Sequence, residues 1–389
     1  MPIEQPKVSN TFAAFFKSEK AAGVVIIFAT ILSLALANSA VSESYQHIWH
    51  IDVAGITLEH WINDALMTIF FLLIGLELER ELYNGELASL QNALLPVVAA
   101  TGGIAFPAAI YFSLNVGTPT QSGIGIPMAT DIAFALGVLA LVGGSVPSSL
   151  KIFLTALAVM DDLGAIIVIA LFYTADLSIA YLLGALAVFG VLLTMNRVWD
   201  IIKLSPYLIG GALMWYLMLK SGVHSTIAGV LLAFAIPYSA KQDDVESPSH
   251  RLEHMLHKPV AFLILPIFAL ANTAIVISPN WTEALTSLNS LGVLFGLLVG
   301  KPVGIALLSY IAVAIGICRL PQDLGWRHII GAGLLGGIGF TMSIFIANLA
   351  FPGQAEIIIA SKIAILLASF VAGVLGFIWL KLFGGSGAE

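Results

Sequence analysis

Residues 156–172 read Ala156-Leu-Ala-Val-Met-Asp-Asp-Leu-Gly-Ala-Ile-Ile-Val-Ile-Ala-Leu-Phe172, with two adjacent carboxylates, Asp161 and Asp162, inside an otherwise apolar stretch. A long apolar run is a membrane-spanning helix when about 20 such residues follow one another, because that length crosses the hydrocarbon. An acid at the bilayer centre costs at least about 2.5–3.5 kcal/mol on insertion scales, so such groups face a wet cavity or pair with one another. The stretch therefore points to a chain in the bilayer and to something bound there.

The remaining residues agree. The 389-residue chain is 59% hydrophobic and 10% charged, with a mean hydropathy of +0.99, whereas a soluble domain carries about 25% charge. Twelve apolar runs are expected, at about 12–38, 59–83, 93–116, 121–142, 148–174, 178–196, 204–220, 222–237, 250–276, 286–314, 327–350 and 356–384. They are separated by breaks such as Gly117-Thr-Pro119, Gly143-Gly-Ser-Val-Pro147, Ser278-Pro-Asn280 and Phe351-Pro-Gly353. With both termini cytoplasmic, the inside connections collect every Lys and Arg except Lys220 and Lys362, which fall outside, and the intramembrane Lys301. That asymmetry favours an even number of crossings.

The first apolar run lacks a cleavage site and is read as a retained helix. One cysteine, Cys318, excludes an intramolecular disulfide, and no Cys/His cluster has zinc-site spacing. The net charge of −7 is spread over short connections, and no nucleic-acid signal is present. Within residues 39–58, His47-Ile-Trp-His-Ile-Asp-Val-Ala-Gly-Ile-Thr-Leu58 alternates partly around Gly55, suggesting an external hairpin.

Four ionisable residues stand within the apolar runs: Asp131, Asp161, Asp162 and Lys301. Three acids against one base exceed what a purely structural ion pair needs. Adjacent helical side chains point about 100° apart, so one Asp of the pair serves as principal ligand while its neighbour takes a proton or pairs with a cation such as Lys301. Hard Na+ or Li+ favours oxygen ligands, and two such close acids titrate as a coupled pair. Protons and metal ions then compete for the same oxygens, which is enough to couple exchange. If more than one proton moves per ion, the membrane potential helps drive the cycle.

Two runs are interrupted. The fourth, Gly123-Ile-Gly-Ile-Pro-Met-Ala-Thr-Asp-Ile-Ala-Phe-Ala-Leu-Gly137, breaks beside Thr130 and Asp131, and the eleventh, Gly336-Gly-Ile-Gly-Phe-Thr-Met-Ser-Ile-Phe-Ile346, breaks before Thr341 and Ser343. Paired interruptions in corresponding places suggest inverted repeats, residues 93–174 and 286–384, around a midplane site. In that arrangement Asp131 would compensate helix N-terminal ends and Lys301 helix C-terminal ends. The fold class expected is an all-α polytopic membrane protein of about twelve helices, runs four and eleven being broken and crossing.

Assembled, these residues resemble the NhaA family of bacterial sodium/proton antiporters, from about residue 15 to residue 382. The resemblance rests on Ala129-Thr-Asp-Ile-Ala-Phe-Ala-Leu-Gly137, Asp161-Asp-Leu-Gly164, Ser221-Gly-Val-His224, Gly300-Lys-Pro-Val-Gly304 and Gly337-Ile-Gly-Phe-Thr-Met-Ser-Ile-Phe-Ile-Ala347. It implies an inner-membrane antiporter that exchanges cytoplasmic Na+ or Li+ for external H+, without a cofactor. Asp162 would be the main cation ligand, Asp161 its partner, Thr130 and Asp131 the crossing, and Lys301 the partner of Asp161. The family's pH-responsive funnel matches Glu77, Arg80, Glu81, Glu253, His254 and His257; Glu79 stands where the family commonly has a basic residue. The hairpin at 45–58 matches the family's external contact and implies a homodimer.

Competing classes fit less well. A carrier of organic anions calls for basic residues, where this chain has an excess of acids. A channel does not need one deep carboxylate site. An intramembrane aspartyl protease usually carries a G-x-G-D motif, which is absent.

Overall fold

The computed structural model describes residues 10–85, 88–143, 146–173, 177–239, 247–279 and 281–385. Lys7, Gly144, Ser145, Lys241 and Asn280, which entered the topological reading, lie outside these residues. The chain is an all-α polytopic membrane protein. Among the described residues eight helices are long and apolar enough to cross a bilayer, and the bent pair Trp326–Gly336 and Phe340–Ala350 makes a ninth.

The other three expected runs are also helical, as Asn10–Ala37, Leu204–Ser221 and Ile227–Ala235. The last is shorter than the expected 222–237. Gly222 ends the preceding helix in the left-handed region at φ +82°, and residues 223–226 turn before the next helix starts; glycine adopts that backbone without the Cβ clash. Asp52–Val53 and Ile56–Thr57 pair antiparallel. Ala54 and Gly55 both take positive φ between them, the geometry whose twist suits a two-residue hairpin. Trp61 Nε1 donates to Val53 O at 2.8 Å and ties this ribbon to the following helix.

The helices pack in two groups. One contains Leu90–Asn115, Gln121–Val142, Ser148–Phe172, Leu288–Ala314, the bent pair and Ala355–Phe383. The other contains Leu58–Asn84, Ile179–Arg197, Leu204–Ser221, Ile227–Ala235 and Pro248–Asn272. All five helices of the second group share an apolar cluster around Leu72, Leu76, Leu192, Met214, Met218, Leu232 and Leu252. Asn10–Ala37 lies between the groups, touching the helices at 132–142 and 265–272.

Within the first group, Leu90–Asn115 and Leu288–Ala314 cross where Gly102 faces Gly304. A Cβ on either glycine would meet the backbone carbonyl of the other, and only glycine permits so close an approach. The Leu288–Ala314 helix carries a π-turn at Gly296–Gly300, immediately before Lys301. A π-turn adds one residue and so rotates the face that follows it. Crossing point and rotation together place the lysine in the group's interior, where it is fully buried.

Candidate ion-binding site

Both interrupted runs break at the centre of the first group. In the fourth, a tight 3-10 turn at Gln121–Met128 gives way to extended backbone at Ala129 and Asp131, and the helix resumes as Ile132–Val142. In the eleventh, the helix stops at Gly336, resumes at Phe340 and bends by 45°. The breaks bond to each other: Asp131 N–H donates to Ile338 O at 2.6 Å, and Ser343 Oγ donates to Ile126 O at 2.7 Å. In an apolar environment every interrupted backbone group needs a partner inside the protein. Each break supplies the other's.

Asp131 is the N-cap of its own resumed helix, its Oδ1 accepting from Phe134 N–H at 3.1 Å. Its Oδ2 accepts from Thr341 N–H at 3.0 Å and from Thr341 Oγ1 at 2.5 Å. One carboxylate thus holds the N-terminal ends of both resumed helices, where two positive dipole ends favour a negative charge.

Lys301 Nζ donates to Thr130 Oγ1 at 2.7 Å and to Asp161 Oδ2. The expected contact with helix C-terminal ends is therefore only indirect, through Thr130, whose Oγ1 lies 2.9 Å from Gly336 O. A full carboxylate attracts an ammonium more strongly than the half-charge of a helix end does, so Asp161 takes the direct bond. Thr130 Oγ1 also lies 2.5 Å from Asp161 Oδ2. Its single hydrogen has two acceptors within reach, Asp161 and Gly336, while its lone pair receives Lys301.

Asp161 and Asp162 are 0% and 1% exposed. Asp161 turns Oδ2 to Lys301 and Thr130, but Oδ1 of Asp161 and Oδ1 of Asp162 are buried without a hydrogen-bond partner among the described residues. A buried polar atom without a partner loses its hydration uncompensated. A carboxylate oxygen in that position is satisfied by a proton or by a cation, and the two exclude one another. Gly103 packs closely against Ile305 beside the acids: a Cβ there would lie 3.0 Å from Ile305 and in ordinary contact, 3.6 Å, with Asp161 Oδ1. Among the described residues no three His, Cys, Asp or Glu side chains gather as a resident metal centre would require.

The candidate pH-sensing residues lie elsewhere, at the end of Met67–Asn84 and in Pro248–Pro259. Arg80 Nη1 pairs with Glu253 Oε1 at 2.8 Å, and Arg80 Nη2 meets Glu81 Oε1 at 3.2 Å. Glu77 is buried, His254 is exposed and His257 is half-buried. Two partners were missed in the sequence. His250 Nδ1 lies 3.8 Å from Glu253 Oε2, a pairing that the i,i+3 spacing allowed. Ser249 Oγ donates to the buried Glu79 Oε2 at 3.1 Å, a contact between segments 170 residues apart that no local signal marks.

Known proteins carry the same arrangement of sequence. The family model described as Na+/H+ antiporter 1 matches residues 13–380. A Na(+)/H(+) antiporter NhaA of Dechloromonas aromatica (strain RCB) is 69% identical over 383 residues, covering 98% of each chain. Na(+)/H(+) antiporter NhaA 1 of Flavobacterium johnsoniae is 56% identical over 375 residues, 96% of this chain and 97% of the relative. A Na(+)/H(+) antiporter NhaA of Vibrio campbellii is 50% identical over 375 residues, 96% of this chain and 95% of the relative. Identity at this level over nearly the whole length, on a fold with paired broken helices around buried acids, establishes that the chain belongs to the NhaA family of Na+/H+ antiporters.

Proposed function

We propose that the protein is a secondary active transporter that exchanges cytoplasmic Na+ or Li+ for external H+, serving sodium and pH homeostasis. The observation that carries this reading is the pair of orphaned carboxylate oxygens, Asp161 Oδ1 and Asp162 Oδ1, beside the Lys301–Asp161 ion pair. Asp162 has the role of principal cation ligand. Asp161 completes the oxygen set when a cation is bound and pairs with Lys301 when it is not. Thr130 links the two states, because its hydroxyl reaches both Asp161 and Gly336.

Protons enter by the same competition: a protonated carboxyl is a poor cation ligand, and a bound cation disfavours the proton. If the site opens to one face at a time, each ion leaves only when the other replaces it. Titration of both carboxyls per cation would make the exchange electrogenic. Residues 93–174 and 286–384 act as inverted repeats, a reading supported by the reciprocal Gly102–Gly304 crossing and the mutually bonded breaks. The Arg80–Glu81–Glu253 cluster, with Glu77, His254 and His257 on the same two segments, is the proposed site of pH regulation. The chain is placed in the bacterial inner membrane with both termini cytoplasmic, as a homodimer joined through the 45–58 hairpin.

The test uses purified protein in liposomes under an imposed pH gradient, with Na+, Li+ and K+ added in turn and the current recorded. Na+ and Li+ should dissipate the gradient and K+ should not. Asp162→Asn should insert and fold but fail to couple Na+ to proton movement. Normal exchange by that variant would sink the assignment.

A further inference from the structure

Lys362, which the topological count places outside, is a buried side chain rather than a solvated one. It is 7% exposed, in the second turn of Ala355–Phe383, and its Nζ donates to Asn272 Oδ1 at 3.4 Å. Asn272, fully buried, is a hub. The same Oδ1 accepts from Asn348 Nδ2 at 2.6 Å, and its own Nδ2 donates to Asn63 Oδ1 at 2.8 Å. These four polar side chains come from four helices, and the bonds cross the boundary between the two packing groups. Asn348 and Lys362 belong to the group of the broken helices, Asn63 and Asn272 to the other.

The cluster lies at the hairpin end, where Leu58–Asn84 begins, Pro248–Asn272 and Phe340–Ala350 end, and Ala355–Phe383 begins. On Phe340–Ala350, Phe345 lies between the break and Asn348. Its ring packs against Phe71 at 5.5 Å and against Phe268 at 6.4 Å between centroids, and all three are buried. From the acids toward the hairpin end, an apolar plug is thus followed by a polar clasp. Asn63 sits in the π-turn Ile62–Leu66, an irregularity that often marks a functional position.

In a membrane, carboxamide bonds between helices are common structural glue, but a buried lysine among them carries a desolvation cost that such a joint does not need, which marks the cluster as functional. Polar groups have a different merit, since their hydrogen bonds are exchanged for water at small net cost when the groups part. That suits a joint that must open and close. We propose that Asn63, Asn272, Asn348 and Lys362 form a polar gate, closed here, whose parting admits ions to the site from the hairpin side, with Asn272 and Lys362 as its positioning residues. The gate rests on the exchange function proposed above.

The experiment reads accessibility without ion flux, so its failure is distinct from a failure of exchange. Cys318→Ser removes the native thiol, and Met67→Cys places a reporter at a fully buried position four residues beyond Asn63 on the same helix. In sealed vesicles of both orientations, a membrane-impermeant maleimide is applied to one face at a time. Adding Asn272→Leu or Lys362→Gln should speed labelling from the hairpin side by roughly tenfold, the shift expected when one net hydrogen bond is lost from a two-state equilibrium. Labelling from the opposite face should not change. An unchanged rate in both variants overturns the gate, and so does an equal rise from both faces, which would mean a loosened fold. The parent protein's Na+-driven proton movement, measured separately, reports on the exchange function alone.

Discussion

The Lys301–Asp161 pair can be tested as a closed cycle. Both side chains are fully buried, and among the described residues Lys301 Nζ donates to Asp161 and Thr130 alone. Lys301→Met keeps most of the stem but removes the ammonium, leaving Asp161 Oδ2 with the Thr130 hydroxyl and Oδ1 with no donor. Breaking one partner of a buried pair costs about 3–5 kcal/mol, because an uncompensated charge stays behind. Asp161→Asn strands the ammonium instead and should cost a similar amount. The double variant removes both charges and should cost only about 1–3 kcal/mol, since apolar or neutral replacements of a buried pair are often tolerated. The coupling energy is then about 6 kcal/mol, far above the roughly 0.5 kcal/mol within which independent sites add. Thermal unfolding of the four detergent-solubilised proteins, followed by tryptophan fluorescence, measures it. Additive single effects would refute the view that this pair is a tightly coupled unit at the centre of the fold.

Three further outcomes follow from the same geometry. Gly304→Ala drives a methyl into the Gly102 carbonyl and should destabilise the protein by about 1–3 kcal/mol; Gly190→Ala, where a Cβ meets nothing within 4 Å, should be neutral or slightly stabilising in the same unfolding assay. Thr341→Val removes the hydroxyl bond to Asp131 but keeps the backbone one, and should cost about 1.5–3 kcal/mol as a charge-assisted hydrogen bond. An unchanged melting midpoint would show that the broken-helix crossing does not depend on that hydroxyl. Glu253→Gln removes one of the two carboxylates paired with Arg80, whose side chain is 34% exposed and keeps Glu81, so stability should fall by no more than about 1 kcal/mol; the pH profile of exchange in liposomes should move, and an unmoved profile would take Glu253 out of the sensing cluster.

Much of this protein was legible in the chain itself, because the controlling physics is local. Hydrocarbon thickness converts apolar length into helices, and the twelve runs are helical. Glycine and proline beside Thr130 and ahead of Thr341 marked both breaks, since interrupted helices need residues that tolerate irregular backbone. The adjacency of Asp161 and Asp162 announced a site, because nothing but a ligand, a proton or a counter-charge repays two buried acids.

The encounters between residues far apart in the chain were decided by the tertiary structure. Lys301 meets Asp161 across 140 positions, and Thr341 meets Asp131 across 210. Those meetings depend on where helices cross and how they are rotated. For Lys301 the crossing is set by the contact of Gly102 with Gly304, and the rotation by the single extra residue of a π-turn. A one-residue insertion turns a helix face by about 100° yet leaves its hydropathy unchanged. Lys362, Asn272, Asn348 and Asn63 likewise look like scattered polar residues in the sequence and form one bonded cluster in the fold, because helix packing rather than local pattern brings them together.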